Sequence, residues 1–127
     1  MEFWDIYDIN KRPTGRTMKR NDWCLKDGEY HLTVLGVVAR PDGTFLITKR
    51  VLTKAWAPGW WEVSGGAVQA GEDSKVAVVR EIREETGLDV SGCLMAIALH
   101  IAVTTQMKAI IILSMCTALN LILTRAI

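Results

Sequence analysis

The chain has 127 residues, a mass of 14.1 kDa and a formal net charge of +1, and half of its residues are apolar. This length suits one domain with a hydrophobic core and is too short for two. The near-neutral charge and the apolar content argue against a disordered chain and against a strongly basic protein that binds nucleic acid polymers.

The cysteines and the N-terminal residues predict a cellular compartment. Cys24, Cys93 and Cys116 are widely spaced and form no CxxC pair, which favours free thiols over a disulfide framework or a zinc cage. The first ten residues include acids and no apolar run, so we expect no signal peptide. Together these features predict a cytoplasmic protein.

The N-terminal half contains strand and turn patterns. Residues 2–8 alternate bulky apolar and acidic side chains, which predicts a strand entering a hairpin, and residues 22–30 form a loop. Residues 31–39, HLTVLGVVA, predict a second strand, and RPDGT at 40–44 predicts a turn. We expect residues 45–50 to return as its partner strand. A loop then leads to a short strand near Glu62.

One amphipathic helix follows. Asp73 can cap its N-terminus, and Gly87 fits a left-handed C-terminal cap. An apolar face formed by Val78, Val79 and Ile82 is expected to dock on a sheet. Strands followed by one strong helix predict an α+β domain in which this helix packs on a sheet.

The helix also carries Glu81, Glu84 and Glu85, whose spacing of i, i+3 and i+4 places three carboxylates on one side. Like charges at these spacings repel, whereas solvated faces usually mix signs. A solvated surface is the simpler interpretation of an acidic cluster. A bound Mg²⁺ would remove the repulsion, because it prefers carboxylate oxygens and leaves positions for water and phosphate.

The residues around this cluster carry a longer motif. Residues 66–88, GAVQAGEDSKVAVVREIREETGL, resemble the signature of the Nudix hydrolase family, in which a Gly, a Glu and an Arg-Glu-x-x-Glu-Glu helix stand at fixed spacings. Every fixed position matches: Gly66, Glu72, Arg80, Glu81, Ile82, Glu84, Glu85, Gly87 and Leu88.

The resemblance implies roles for these residues. Glu84 and Glu85 would be inner ligands of Mg²⁺ or Mn²⁺, and Glu81 a further ligand or the group that orients the attacking water. The carbonyl of Gly65 would be an extra ligand. Glu72 and Arg80 would form an ion pair that braces the loop on the helix, with Gly66 and Gly87 as structural positions.

The N-terminal half resembles type I isopentenyl-diphosphate isomerase, together with Nudix hydrolases of the same layout. That isomerase has a Cys-Gly-His-Pro stretch where this chain has Gly65-Gly66-Ala67-Val68. Of its two further metal histidines only His31 matches, and the other falls near Cys24. The isomerase is therefore the third and disfavoured interpretation, and a packed or surface position is the simpler account of His31.

Residues outside the motif offer weaker signals. Lys49 and Arg50 end a predicted strand beside the site and are candidate contacts for substrate phosphates; ordinary surface charges are about equally favoured. Three tryptophans, at positions 56, 60 and 61, could stack on a base or prenyl group, but we expect them to be buried in the core.

The C-terminal segment is atypical. All acids lie at or before Asp89, so a further glutamate of the kind that many Nudix hydrolases take from a later loop is missing. Residues 93–103 predict a strand. Residues 108–127 leave three alternatives: a membrane helix, for which the 16 residues between Lys108 and Arg125 are short, a divergent core helix or strand pair, or a C-terminus replaced by a reading-frame change or truncation. We favour the last, with an incomplete sheet, and resequencing tests it.

The resemblance implies the Nudix fold, with a mixed β-sheet on which the helix packs. We therefore expect one Nudix domain over 1–127, with a hairpin and loop at 1–30, a core at 31–92 and an atypical apolar segment at 93–127. The leading hypothesis is a Mg²⁺- or Mn²⁺-dependent hydrolase of a small-molecule diphosphate, such as a nucleoside diphosphate derivative. The alternative is a catalytically weak nucleotide-binding module. We expect no membrane partner, and a homodimer is left open.

Overall fold

The computed structural model describes residues 1–103 and 108–117, with the backbone alone for 94, 96–103, 115 and 117. Its strands and helix agree with an α+β fold. In chain order they are β1 (Phe3–Tyr7), β2 (Pro13–Lys19), β3 (His31–Ala39), β4 (Thr48–Lys49), β5 (Trp61–Glu62), β6 (Ser64–Ala67), α1 (Ser74–Thr86), β7 (Leu94–Val103) and β8 (Ala109–Thr117).

The central sheet has four strands in the order β6-β3-β8-β7. Strand β3 pairs antiparallel with β6 and parallel with β8, and β8 pairs antiparallel with β7. The sheet is therefore mixed, which confirms the predicted architecture. The strand predicted for residues 31–39 has the predicted bounds.

Strand β8 explains the apolar C-terminal pattern as far as residue 117. It lies between β3 and β7, and its buried residues include Ile110, Ile112 and Cys116. A strand in the interior of a sheet that is parallel to a neighbour reads as a continuous apolar run, because both of its faces are covered. Residues 109–117 thus form one strand of the core, paired with β7; residues 118–127 lie outside the described part of the chain.

No helix within residues 1–103 and 108–117 has the length and apolar character needed to cross a membrane.

Helix α1 packs on β3. The Asp73 side chain accepts a hydrogen bond from the Val76 N–H at 2.8 Å, and Gly87, with φ of 77°, closes the C-terminus through its N–H to the Arg83 carbonyl. Both predicted caps are confirmed. Val78 and Ile82 are fully buried.

Gly36 of β3 allows the helix to approach this closely. A Cβ at Gly36 would lie 2.6 Å from Val78 Cγ2 and 2.8 Å from Ile82 Cδ1. Contacts this short do not occur between real side chains, so a residue without a Cβ is needed at this crossing.

The predicted N-terminal hairpin is present, since β1 and β2 pair antiparallel. It is attached to the segment that precedes α1, because the Ala70 N–H donates to the Phe3 carbonyl at 2.8 Å and the Gly71 N–H donates to Asp5 at 2.9 Å. The hairpin is therefore placed next to the helix that carries the glutamates.

The prediction that residues 45–50 pair with β3 was wrong. Only Thr48–Lys49 forms a strand, β4, and it pairs with β5. Contact with β3 is limited to an Ala39–Phe45 bridge and a hydrogen bond from the Leu46 N–H to the Val38 carbonyl. Strand β6 already pairs with β3 along residues 33–36, so this edge is taken.

Candidate active site

The glutamates of α1 lie beside the two glycines of β6. A Cβ at Gly66 would come within 2.5 Å of Glu81 Cδ, so the Glu81 carboxylate packs directly over the Gly66 backbone. A Cβ at Gly65 would collide with the Val34 carbonyl oxygen and would lie 2.6 Å from Leu35 Cδ2. Neither position can hold a larger residue without movement, and the missing side chains keep the backbone of β6 open to the carboxylates.

Two of these carboxylates, those of Glu81 and Glu85, have raised pKa values. Partial burial raises the pKa of Glu81, and the nearby charges of Glu84 and Glu2 add to this effect against the opposing influence of Arg80. Partial burial also raises the pKa of Glu85. A hydrogen bond with Ser64 opposes that rise, while the charges of Glu81 and Glu62 strengthen it. Burial is thus the main cause of both raised pKa values, and neighbouring carboxylates add to it.

Arg80 and Glu72 form the ion pair that the motif predicts. The Arg80 guanidinium donates to both oxygens of the Glu72 carboxylate, at 2.6 and 2.9 Å, and to the Ala67 carbonyl at 3.1 Å. Burial would raise the pKa of Glu72, but the bonds from Arg80 and from the Gln69 N–H outweigh it and lower the pKa. The pair ties the loop that precedes α1 to the helix and to β6.

The same guanidinium also contacts two glutamates of the acidic cluster. It donates to Glu81 at 2.7 Å and to the more exposed Glu84 at 3.4 Å. Because these two side chains turn toward Arg80, no three His, Cys, Asp or Glu side chains within the described ranges surround a common ion position. To bind an ion together with Glu85, Glu84 would have to turn away from Arg80.

The donor chemistry fits a divalent cation. Carboxylate and carbonyl oxygens are the ligands of Mg²⁺ and Mn²⁺. Glu81 and Glu85, with raised pKa values, are the groups whose charge a cation would relieve. Gly65 lines the same cleft as these glutamates.

These residues line a cleft of about 500 Å³. Its acids are Glu2, Glu81, Glu84 and Glu85, its cations are Arg20, Arg50, Lys54 and Arg80, and its remaining residues are Gly65, Gly66, Ala67 and Gln69. A cleft that holds both carboxylates and basic side chains has the chemistry to bind a metal ion and a phosphate side by side.

The NUDIX domain family model matches residues 29–105, which is more than half of the chain. The chain belongs to the Nudix family. It is 38% identical over 95 residues to an uncharacterised Nudix hydrolase of Listeria monocytogenes, covering 72% of this chain and 56% of that protein. It is 42% identical over 55 residues to the nucleoside triphosphatase NudI of Salmonella heidelberg, covering 43% and 39%.

The chain thus spans about half the length, or less, of these Nudix relatives. Among solved structures, the protein DR0079 from Deinococcus radiodurans superposes with a TM-score of 0.74. The match covers 94% of this chain and 74% of that one at 21% identity, and it supports the Nudix fold.

The structure separates two basic residues that the sequence placed together. Arg50 lines the Nudix cleft and donates to both oxygens of Glu62 at 3.2 Å. Lys49 is exposed, with its ammonium 5.5 Å from the centroid of the Trp61 ring, and it is not among the residues that line the cleft. Neighbouring residues of a strand point to opposite faces, which explains the difference.

The prediction that three tryptophans are buried was wrong. Trp56 is 70% exposed, Trp60 66% and Trp61 64%. Trp61 lies in β5, and Trp56 and Trp60 lie in the loop that connects β4 to β5. These two strands pair with each other as a ribbon and not with the central sheet. Within residues 1–103 and 108–117 no layer covers this ribbon, and its three tryptophan side chains are exposed.

Four cleft residues escaped the sequence interpretation: Glu2, Arg20, Lys54 and Gln69. Glu2 and Arg20 come from the two ends of the N-terminal hairpin and pair with each other at 3.1 Å. They reach the cleft only because the hairpin is attached to the loop before α1. The local sequence around them gives no signal of that contact.

His31 takes the packed role expected of it. It is buried, and its ring stacks on Trp4 with centroids 4.8 Å apart. Cys24 is exposed. The finding gives no support to the isomerase alternative, whose metal histidines would have to lie at these positions.

Proposed function

We propose that this Nudix protein is a Mg²⁺-dependent hydrolase of a diphosphate linkage in a nucleoside diphosphate derivative or another organic diphosphate. The observation that carries the proposal is the cleft itself, in which three glutamates of α1 face the open backbone of Gly65 and Gly66. The basic side chains of Arg50 and Lys54 line the same space. Family membership supports this chemistry, and the partial coverage of its relatives makes the activity a proposal.

The residues that would hold the cation are Glu81, Glu84, Glu85 and the carbonyl of Gly65. When bound, Mg²⁺ or Mn²⁺ acidifies a coordinated water and neutralises charge on the phosphoryl oxygens. Glu81 is suited either to ligate or to accept a proton from the attacking water, because its carboxylate packs over the Gly66 backbone inside the cleft and burial raises its pKa.

The other residues bind and position. Arg50 and Lys54 provide positive charge for phosphate oxygens that the glutamates would repel. Arg80 is engaged with Glu72 and the Ala67 carbonyl, and it thereby fixes the helix relative to β6. Its contact with Glu84 is the weakest of its ion pairs, at 3.4 Å, and is the one most easily exchanged for a cation.

A substrate panel tests the proposal. Nucleoside triphosphates, sugar nucleotides, NADH, dinucleoside polyphosphates and prenyl diphosphates are incubated with Mg²⁺ or Mn²⁺, and released phosphate or pyrophosphate is measured. We expect Glu84→Gln and Glu85→Gln to lower kcat/KM by about 100-fold or more. Asp27→Asn, which changes a fully exposed acid outside the cleft, is the control. Equal activity of all four proteins would contradict the assignment.

A catalytically weak nucleotide-binding module is the second candidate. The observation that favours it is that Glu81 and Glu84 are held by Arg80 and not grouped with Glu85 around one point. Binding of Mn²⁺ and nucleotide without turnover of any substrate would support this candidate over the hydrolase. A small-molecule substrate and a cytoplasmic location remain part of our proposal, and a homodimer remains an open alternative.

A further inference from the structure

Two exposed tryptophans lie close to Arg50, which lines the cleft. Trp56 and Trp60 have ring centroids 6.3 Å apart and an interplanar angle of 49°, so they do not stack on each other. Both rings are about two-thirds exposed or more. A large indole buries favourable apolar area when it is covered, so two neighbouring exposed indoles leave a contact surface unused.

The loop that carries these rings is hydrogen-bonded along its length. The Arg50 N–H donates to the Trp60 carbonyl at 2.8 Å, the Gly59 N–H donates to the Arg50 carbonyl at 3.0 Å, and the Trp60 N–H donates to the Ala57 carbonyl at 3.2 Å. The rings are therefore displayed by an organised loop, which lowers the conformational entropy that a ligand would have to remove.

Arg50 connects the tryptophans to the cleft. Its Nε donates to the Trp56 carbonyl at 2.9 Å, and its guanidinium carbon lies 5.4 Å from the centroid of the Trp56 ring. The same side chain lines the cleft together with Lys54, from the same loop. Arg50 thus contacts the exposed tryptophan Trp56 on one side and lines the cleft that holds the glutamates on the other.

We infer that Trp56 and Trp60 form a stacking surface for a flat aromatic ring of the substrate, so that the site selects nucleotides over diphosphates without a base. The inference rests on the proposed function and gives it a substrate class. Arg50 and Lys54 would contact the phosphates while the base lies on the indoles. Base–indole stacking tolerates different bases, so we expect selection for a base and little selection among bases.

Charge argues for this occupant over an apolar one. A second copy of the protein would use the rings and leave the adjacent guanidinium and ammonium groups unused, whereas a prenyl diphosphate would use these charges but has no flat ring to stack on the indoles. A nucleotide uses both, because its base is aromatic and its phosphates are anionic.

Binding without turnover tests the inference. Indole fluorescence is titrated with ATP and with tripolyphosphate in metal-free buffer, because these ligands share the phosphate chain and differ in the nucleoside. We expect ATP to bind the wild type about 10- to 100-fold more tightly than tripolyphosphate. Trp56→Ala and Trp60→Ala should remove this preference, and Trp56→Phe should retain most of it.

Trp61→Ala is the matched control. Trp61 is about as exposed as the other two, but its ring lies beside Lys49, and neither residue lines the cleft. The preference for ATP should therefore remain in Trp61→Ala. Equal binding of both ligands to the wild type, or an equal loss in Trp61→Ala, would overturn the inference. A preference for isopentenyl diphosphate that depends on Trp56 would overturn it in favour of a prenyl ligand. A fall in the molar mass of the protein on Trp56→Ala, with the ATP preference unchanged, would overturn it in favour of a second copy.

The two proposals fail in different ways. If ATP preference depends on Trp56 and Trp60 but no diphosphate is hydrolysed with Mg²⁺, the hydrolase proposal fails and the stacking surface stands. If hydrolysis occurs with the same kcat/KM for Trp56→Ala and wild type on every nucleotide, the stacking surface fails and the hydrolase stands.

Discussion

The Glu81 carboxylate packs over the backbone of Gly66, and a Cβ on this glycine would come within 2.5 Å of Glu81 Cδ. This contact joins strand β6 to the acidic face of α1. It explains why the motif has a glycine six residues before Glu72 and connects that glycine to the chemistry of the cleft.

Gly66→Ala should therefore damage the site more than the fold. The methyl group would meet the flexible end of Glu81, which can move at small energetic cost, so we expect the free energy of unfolding to fall by about 1 kcal/mol or less. Moving the carboxylate should lower Mn²⁺ affinity about 10- to 100-fold. Gly92→Ala is the control, because a Cβ there meets nothing within 4 Å. Unchanged Mn²⁺ affinity in Gly66→Ala would show that Glu81 has no part in the site.

Gly36→Ala should damage the fold more than the site. Its Cβ would lie 2.6 Å from Val78 Cγ2 and 2.8 Å from Ile82 Cδ1, inside the contact between α1 and β3. Overpacking of this kind costs about 1–3 kcal/mol. Urea denaturation of the variant measures the loss against Gly92→Ala. A variant as stable as the wild type would mean that the helix does not pack this closely on the sheet.

Glu72→Gln should destabilise the protein by about 1–3 kcal/mol at neutral pH, because it removes one partner of a doubly hydrogen-bonded ion pair. The pKa of Glu72 is lowered below its ordinary value of 4.5 in the folded protein. The stabilisation is therefore present above that value and is lost as the pH falls through the folded-state pKa. Thermal denaturation across this range should bring the two proteins together in acid, and a constant difference would contradict the ion-pair account.

The cysteines report on strand β8. Cys116 is buried in the central sheet, and burial raises the pKa of its thiol to about 11, whereas Cys24 is exposed. Iodoacetamide at neutral pH, followed by peptide mass spectrometry, should label Cys24 within minutes and leave Cys116 unlabelled until denaturant is added. Equal labelling of both thiols in the native protein would place the β8 segment outside the core.

The sequence predicts the site better than the ribbon beside it. The caps and the shared side of the glutamates follow from helix geometry, and the Arg80–Glu72 pair follows from the resemblance to the Nudix signature. Strand β3 was equally predictable, because its β-branched run has no competing interpretation.

The failures share a cause, which is that pairing partners are chosen by distant segments. Ser64–Ala67 pairs with β3 in the place predicted for residues 45–50. Trp56 and Trp60, in the loop that follows, are exposed. Likewise, the apolar run after Lys108 reads as abnormal until β8 is placed between β3 and β7. The entry of Glu2 and Arg20 into the cleft depends on hydrogen bonds between the hairpin and residues 70–71, which no local pattern encodes.

The central claim is that the crowded carboxylates of α1 bind a divalent cation, and Mn²⁺ titration monitored by electron paramagnetic resonance tests it most directly. The measurement compares the wild type with Glu85→Gln and with the exposed-site control Asp27→Asn. We predict saturable binding to the wild type and the control and at least a 10-fold weaker affinity for Glu85→Gln. Equal Mn²⁺ affinity in all three proteins, or none in the wild type, would contradict the account.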